Sequence, residues 1–343
     1  MNGKIIKGIG GFYYVHVRRG GDVPPAGHEE IYRDETGNAA VAGGSAPVCG
    51  RGSSVPGEGG ESAVLHAADI WECRAKGIFR NQKKKPLIGD DVEIEAVDAQ
   101  KKTGNIVKIY ERTNELVRPS VANVDQALVV FSVTSPEPSL NLLDRMLLMT
   151  ETLGLPAGIC FQKIDLDTEH RAENLCRIYR DAGYPVFPAS ALRREGVEEI
   201  AAFLDGRTTC LAGPSGVGKS TWMNLLCREE RMETGEISEK SMRGKHTTRH
   251  AELIALWENT YLVDTPGFGA LDITYMEPEE LKGYFPEFAP YEGTCRFPGC
   301  VHRSEPDCSV KDAVENGQIH RSRYESYAAF YEELKERKRN LYK

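Results

Sequence analysis

Gly213-Pro214-Ser215-Gly216-Val217-Gly218-Lys219-Ser220 carries the spacing G-x-x-x-x-G-K-[ST]. Glycines at these positions let backbone N–H groups converge on phosphate oxygens, and a helix that follows adds its positive N-terminal dipole. Lys219 is then placed to neutralise β- and γ-phosphates, and the Ser220 hydroxyl to ligate Mg²⁺, with Thr221 opening the helix. The context fits, because an apolar strand is expected over Thr208–Ala212 and a helical run over Thr221–Cys227. Asp264-Thr265-Pro266-Gly267 ends a second apolar strand, Tyr261–Val263, and gives D-x-x-G. Asp264 is expected to hold Mg²⁺ through water, and the Gly267 N–H to meet the γ-phosphate. The residue after Asp264 is Thr265, where an ATPase strand more often ends in a second acid.

Guanine is read by a carboxylate that accepts from both N1–H and the 2-amino group. Adenine offers no such pair, so the wrong base leaves the acid unpaired. The usual signature, N-K-x-D, does not follow Gly267. Gln162-Lys163-Ile164-Asp165 instead ends an apolar strand upstream of the phosphate loop. Asp165 is the expected guanine reader, with the Lys163 stem along the base plane. Gln162 departs from asparagine by one methylene. Ser190-Ala191, after a strand at Val186–Pro188, offers backbone N–H groups for guanine O6. The order is base motifs, phosphate loop, D-x-x-G, which is a circular permutation. It is feasible because the ends of a compact domain lie close together at the surface.

Between the phosphate-loop helix and Asp264 lies Ser241–Arg249, a switch segment in which Thr247 and Thr248 both qualify as Mg²⁺ ligands, Thr248 being favoured. The residue after Gly267 is Phe268, which cannot orient an attacking water. His246 is the candidate catalytic substitute, against the plainer reading of an exposed loop histidine or a group supplied by a partner.

Cys295, Cys300, His302 and Cys308 form C-x4-C-x-H-x5-C. Three thiolates and one imidazole suit a closed, tetrahedral, structural Zn²⁺ site with no open position for catalysis. The other six of the nine cysteines are scattered, a pattern of a reducing cytosol rather than a disulfide framework, so a cytoplasmic protein is expected.

These groups need elements to position them. The 343 residues leave room for two or three domains. Lys4–Ile9, Tyr13–His16, Ile70–Arg74, Val92–Ala96 and Gly104–Tyr110 read as short strands of a small antiparallel barrel. A Gly-, Ala-, Ser- and Pro-rich stretch from about 18 to 68 interrupts them and is expected to be a flexible insertion. From 119 to 274 strands alternate with helices, the texture of an α/β parallel sheet with ligands at the strands' carboxyl ends. Beyond about 275 the strands stop. Tyr324, Tyr327, Ala328, Tyr331 and Leu334 then recur at helical spacing as a packing face. The expected domains are 1–118, 119–274 and 275–343. The net charge of −8 excludes a uniformly basic nucleic-acid binder, and no apolar run approaches ~18 residues, so no membrane span is expected. Local basic runs, Arg80 with Lys83–Lys85 and Lys335 with Arg337–Arg339, are candidate phosphate contacts or solvated faces.

Taken together, the barrel, the permuted motifs and the metal cluster resemble the RsgA (YjeQ/YloQ) family of GTPases that depend on the small ribosomal subunit. The matching stretches are Gly3–Val15, Pro86–Asp90, Gly213–Thr221, Gly244–Arg249, Asp264–Phe268 and the Cys/His segment. The departures are the insertion and Gln162. The resemblance implies an N-terminal OB-fold β-barrel, a central α/β P-loop GTPase, and a mainly α zinc-binding segment. It also implies GTP and GDP as ligands, binding to the small (30S) subunit and its rRNA late in maturation, and hydrolysis stimulated by the subunit. A monomer is expected. The permutation leads the switch after Asp264 straight into the zinc segment, so the γ-phosphate is expected to bias where that segment sits. Two rivals are an RNA-binding scaffold with a purely structural nucleotide and a P-loop ATPase.

Overall fold

The computed structural model describes residues 1–18, 70–77, 79, 85–117, 120–231, 252–257, 259–264, 273 and 276–341. The expected insertion therefore falls almost wholly outside the described residues, as do His246, Thr247, Thr248 and Gly267.

Five strands, β1 (Asn2–Ile9), β2 (Phe12–Val17), β3 (Ile70–Ala75), β4 (Asp91–Asp98) and β5 (Thr103–Ile109), close into a barrel in the order β1-β2-β3-β5-β4. Ile5, Val15, Cys73, Val92, Ile94 and Ile106 fill it. The sequence suggests an antiparallel barrel, but β3 and β5 run parallel. Parity requires this: directions cannot alternate around a closed ring of five. A two-stranded ribbon, β6 (Glu115–Leu116) and β7 (Val121–Ala122), leads out of the barrel. Arg112 pins this exit, its guanidinium donating to both oxygens of buried Asp90 at 2.7 and 2.9 Å.

The central sheet contains β8 (Gln126–Ser132), β9 (Ala157–Gln162), β10 (Val186–Ala189), β11 (Thr208–Ala212), β12 (Leu253–Trp257) and β13 (Thr260–Asp264), in the order β10-β9-β8-β11-β13-β12. All are parallel except edge strand β12, which the sequence pattern does not reveal. Side chains alternate across the sheet. Val129, Phe131, Ile159 and Phe161 meet helices α1 (Leu140–Thr152) and α2 (Arg171–Asp181) on one face. Leu128, Val130, Cys160 and Leu211 meet α3 (Val197–Leu204) and α4 (Lys219–Arg231) on the other. Both faces are covered, which is why the strands read as continuous apolar runs. The barrel packs on the β12–β13 edge: His16 Nδ1 lies 2.8 Å from the Tyr261 hydroxyl, and Lys7 donates to Glu252 at 2.9 Å.

Past the sheet the described chain forms 3-10 turns at Leu281–Tyr284 and Pro286–Tyr291, then α5 (Ser309–Glu315) and α6 (Arg321–Leu341). Tyr327, Tyr331 and Leu334 face inward as their spacing suggests, joined by Phe330. Leu148 of α1 belongs to the same core. Arg323, 2% exposed, fixes this unit to the sheet domain. It makes a bidentate contact with Glu287 at 2.6 and 3.1 Å and reaches Asp144 of α1 at 2.7 Å. Tyr179 of α2 donates to the same Asp144 at 2.9 Å. Burial pushes the Arg323 pKa down, but Asp144 and Glu287 outweigh it and hold it far above the ordinary value. No helix among the described residues is long and apolar enough to cross a membrane.

Removing the cation while leaving two buried acids is expected to be severe. Arg323→Met should cost about 3–5 kcal/mol in urea unfolding followed by circular dichroism; a loss under ~1 kcal/mol would contradict a buried clamp.

Candidate functional site

The phosphate loop follows β11 in the middle of the sheet, and the base motifs follow β9 and β10 on the adjoining side. These strands point the same way, so the loops share one rim, at the carboxyl ends, where open α/β sheets bind ligands. A Cβ on Gly213 would come 2.2 Å from the Val130 carbonyl oxygen of β8, so only glycine lets the loop begin this close to its neighbour. Lys219, in the first turn of α4, curls back and donates to the carbonyls of Gly213 and Pro214 at 2.7 and 2.8 Å. Its ammonium thus stands over the loop. Ser215, Gly216, Ser220 and Thr221 are exposed along the rim, and Val217 is buried beneath it. Asp264 ends β13, in register with Leu211 of β11.

The base loop is built by local rules. Lys163 takes a left-handed conformation (φ 67°), Ile164–Leu166 make a 3-10 turn, and the Asp167 carboxylate caps α2 by accepting from the N–H groups of Arg171 and Ala172. Lys163 reaches the phosphate loop, donating to the Gly216 carbonyl at 2.9 Å and to the Ser135 carbonyl. Buried Gln162 spans the same gap. Its Oε1 accepts from the Ala191 N–H at 3.1 Å, and its amide lies against Gly218, where a Cβ would sit 3.1 Å from Nε2. The extra methylene is what reaches. Asp165 Oδ1 accepts from the Ser190 hydroxyl at 2.5 Å. The motifs separated in sequence therefore converge on one rim.

Ser190 and Ala191 are expected to offer backbone N–H groups to guanine O6. The Ser190 N–H donates instead to Glu195, which donates back, both at 3.0 Å. Both N–H groups are thus engaged within the protein, Ser190 with Glu195 and Ala191 with Gln162.

Cys295, Cys300, His302 and Cys308 place their ligand atoms within 4.8 Å of one another. Cys295 and Cys308 sulfurs are 3.9 Å apart, and His302 Nδ1 lies 3.6 and 3.3 Å from them. A tetrahedron with ~2.3 Å Zn–S and ~2.0 Å Zn–N bonds has edges near these lengths, so the donor set fits zinc. Burial pushes the Cys300 thiol up to about 12, so metal must displace a proton there and uptake should weaken as pH falls. Sequence reasoning missed the residue that orients the imidazole. Glu292 Oε1 lies 3.0 Å from His302 Nε2, and Lys282 donates to its other oxygen at 2.9 Å. Although burial raises it, those two contacts hold the Glu292 carboxyl below its ordinary range. With Nε2–H donated to Glu292, Nδ1 is the bare nitrogen that faces the thiols. Tyr324 and Tyr327 of α6 donate to the His302 and Val301 carbonyls at 2.7 and 2.6 Å and fix the knuckle's backbone. Of the Mg²⁺ candidates, exposed Ser220 lies in the first turn of α4 and Asp264 ends β13; Thr248 lies outside the described residues.

Glu292→Gln should weaken zinc binding ~10–100-fold in chelator competition, with all four ligands intact. An unchanged affinity would show that Glu292 does not orient the ligand.

Comparison with known proteins bears directly on these groups. The family model described as RsgA GTPase matches residues 109–274, and the RsgA N-terminal domain matches 57–106. The chain is 46% identical to the small ribosomal subunit biogenesis GTPase RsgA of Agathobacter rectalis, covering 99% of this chain and 100% of that one. It is 42% identical to the protein of the same name from Alkaliphilus metalliredigens, covering 98% and 99%. Among solved structures it superposes on YloQ, described as a circularly permuted GTPase, with TM-score 0.69, 34% identity and coverage of 98% and 95%. It superposes on YjeQ from Thermotoga maritima with TM-score 0.69, 32% identity and coverage of 97% and 98%. Permuted strand order, converging nucleotide motifs, Cys/His knuckle and end-to-end relatives agree: this chain belongs to the RsgA family of circularly permuted GTPases.

Proposed function

We propose that the chain hydrolyses GTP as a factor in late maturation of the small (30S) ribosomal subunit, binding the subunit and its rRNA and being stimulated by them. One observation carries the enzymatic half: Lys163 and Gln162 of the base loop rest on the phosphate loop that holds Lys219, as a single purine triphosphate would require. The names of the full-length relatives support the ribosomal half.

On this reading Asp165 accepts from guanine N1–H and the 2-amino group, and the Lys163 stem covers the ring. Backbone groups of 213–221 and the Lys219 ammonium take the phosphates. Phosphoryl transfer needs positioning and charge stabilisation more than covalent help, and a fixed ammonium supplies both. Mg²⁺, held by Ser220, Asp264 and Thr248, would neutralise charge on the β- and γ-phosphates. Gly267 contacts the γ-phosphate, and His246 is the candidate for orienting water. Zn²⁺ on the knuckle is structural. Residues 1–118 form the OB platform, 119–274 the GTPase and 275–343 the zinc-binding segment, in a cytoplasmic monomer. The second basic run is a poor rRNA contact at Lys338, which pairs with Glu277 at 2.6 Å; Lys85 of the first run is exposed, and Arg80, Lys83 and Lys84 lie outside the described residues.

Isolated sites of this class turn over near ~10⁻⁴ s⁻¹ and gain ~10³–10⁵ from added groups. Hydrolysis measured with and without small subunits should therefore differ by more than ~10-fold; equal rates would remove the subunit from the reading. Asp165→Asn replaces two acceptors with one acceptor and one donor. GDP affinity should fall ~10²-fold while the xanthine nucleotide, with a 2-oxo group, becomes preferred. Retained GDP preference would exclude Asp165 as the base reader.

A further inference from the structure

The backbone N–H groups expected to meet the 6-position of the purine already have partners within the protein. The Ser190 N–H is locked in its reciprocal pair with Glu195. The Ser190 hydroxyl donates to Asp165 and accepts from the Arg193 N–H at 3.1 Å. That leaves the Ala191 N–H, and it is bonded to Gln162 Oε1 at 3.1 Å. An N–H has one hydrogen, so it serves one acceptor well. The backbone pair cannot yield without unmaking the Ser190–Glu195 bridge, whereas a side-chain amide can rotate away.

We infer that Gln162 competes with the 6-oxo group of guanine for the Ala191 N–H, and so sets guanine affinity below what the site would otherwise reach. The inference rests on the guanine reading above. A 6-oxo group that displaces Gln162 exchanges one neutral hydrogen bond for another, and the gain is close to nil. A site whose Ala191 N–H had no internal acceptor would add a hydrogen bond on binding. The length of the side chain matters. Gln162 is 4% exposed, its amide held between the Ala191 N–H and Gly218, whose φ of +104° excludes a side chain that would crowd it. An asparagine at this position falls one methylene short of Ala191.

The test compares wild type with Gln162→Asn and the near-isosteric Gln162→Met, which removes the acceptor but keeps the length. Displacement of ribose-labelled GDP is measured with unlabelled GDP, ADP and 2,6-diaminopurine riboside diphosphate. The last keeps the 2-amino group, carries 6-amino in place of 6-oxo and lacks the N1 hydrogen; the N1 difference weakens its pairing with Asp165 equally in wild type and variants, so only the change on substitution is compared. Both variants should bind GDP ~5-fold more tightly than wild type and show no gain toward the diaminopurine nucleotide. A merely structural role would move both nucleotides together. GDP affinity unchanged or weaker in each folded variant overturns the inference, as does an equal gain for both nucleotides. Circular dichroism establishes which variants fold, and either one suffices. Wild type that binds ADP as tightly as GDP is a separate outcome: it defeats the guanine reading itself, and the competition with it.

Discussion

The molecule turns on how closely β11 lies against β8. The two run parallel with Cys210 opposite Ala127 and Ala212 opposite Val129, and the next residue, Gly213, sits over the Val130 carbonyl. Any side chain there would force the phosphate loop off the sheet rim. From the same rim β8 leads to α1 on one face and β11 to α4 on the other. The strand order reverses between them, and the crevice this opens is where an α/β sheet takes a ligand. Lys163 crosses that crevice from the β9 side to the loop on the β11 side. Phosphate and base are thus served by groups that follow β11 and β9, the two strands that flank β8.

Adjacency, not chain order, is what the chemistry needs. With β10, β9 and β8 on one side of β11 and β13 and β12 on the other, each motif keeps its neighbours wherever the chain enters the sheet. Entry at β8 has a consequence for the barrel, which must then attach beside the phosphate strand. It does so through the Asp90–Arg112 exit and settles on the β12–β13 edge, where His16 meets Tyr261.

Much of this was legible because local rules dominate. The phosphate loop, the strands at Ala157–Gln162 and Thr208–Ala212 and the inward face of α6 follow from spacing alone. What escaped depends on contacts distant in sequence. Edge strand β12 carries no alternation that distinguishes it, since its pairing with β13 lies on one side only. Parity of a five-membered ring is invisible to any one strand. Asp144 and Arg323 read as surface charges on two helices 179 residues apart, and only their meeting makes burial tolerable. Glu292 is likewise one acid among many until His302 turns its ring toward it. Gln162 departs from asparagine in the sequence, but which N–H it reaches depends on where β10 delivers Ala191.

The same distant contacts bear on the expected mechanics. The permutation suggests that gain or loss of the γ-phosphate moves the zinc segment. Yet that segment is tied to α1 by Arg323 and Arg145, the latter pairing with Glu333 at 3.0 Å, and the knuckle is tied to α6 by Tyr324 and Tyr327. The chain from Asp264 to Ile273 is anchored at both ends, in β13 and in the core beneath α6. A γ-phosphate effect on the position of the zinc segment would have to work against these contacts between α1, α6 and the knuckle.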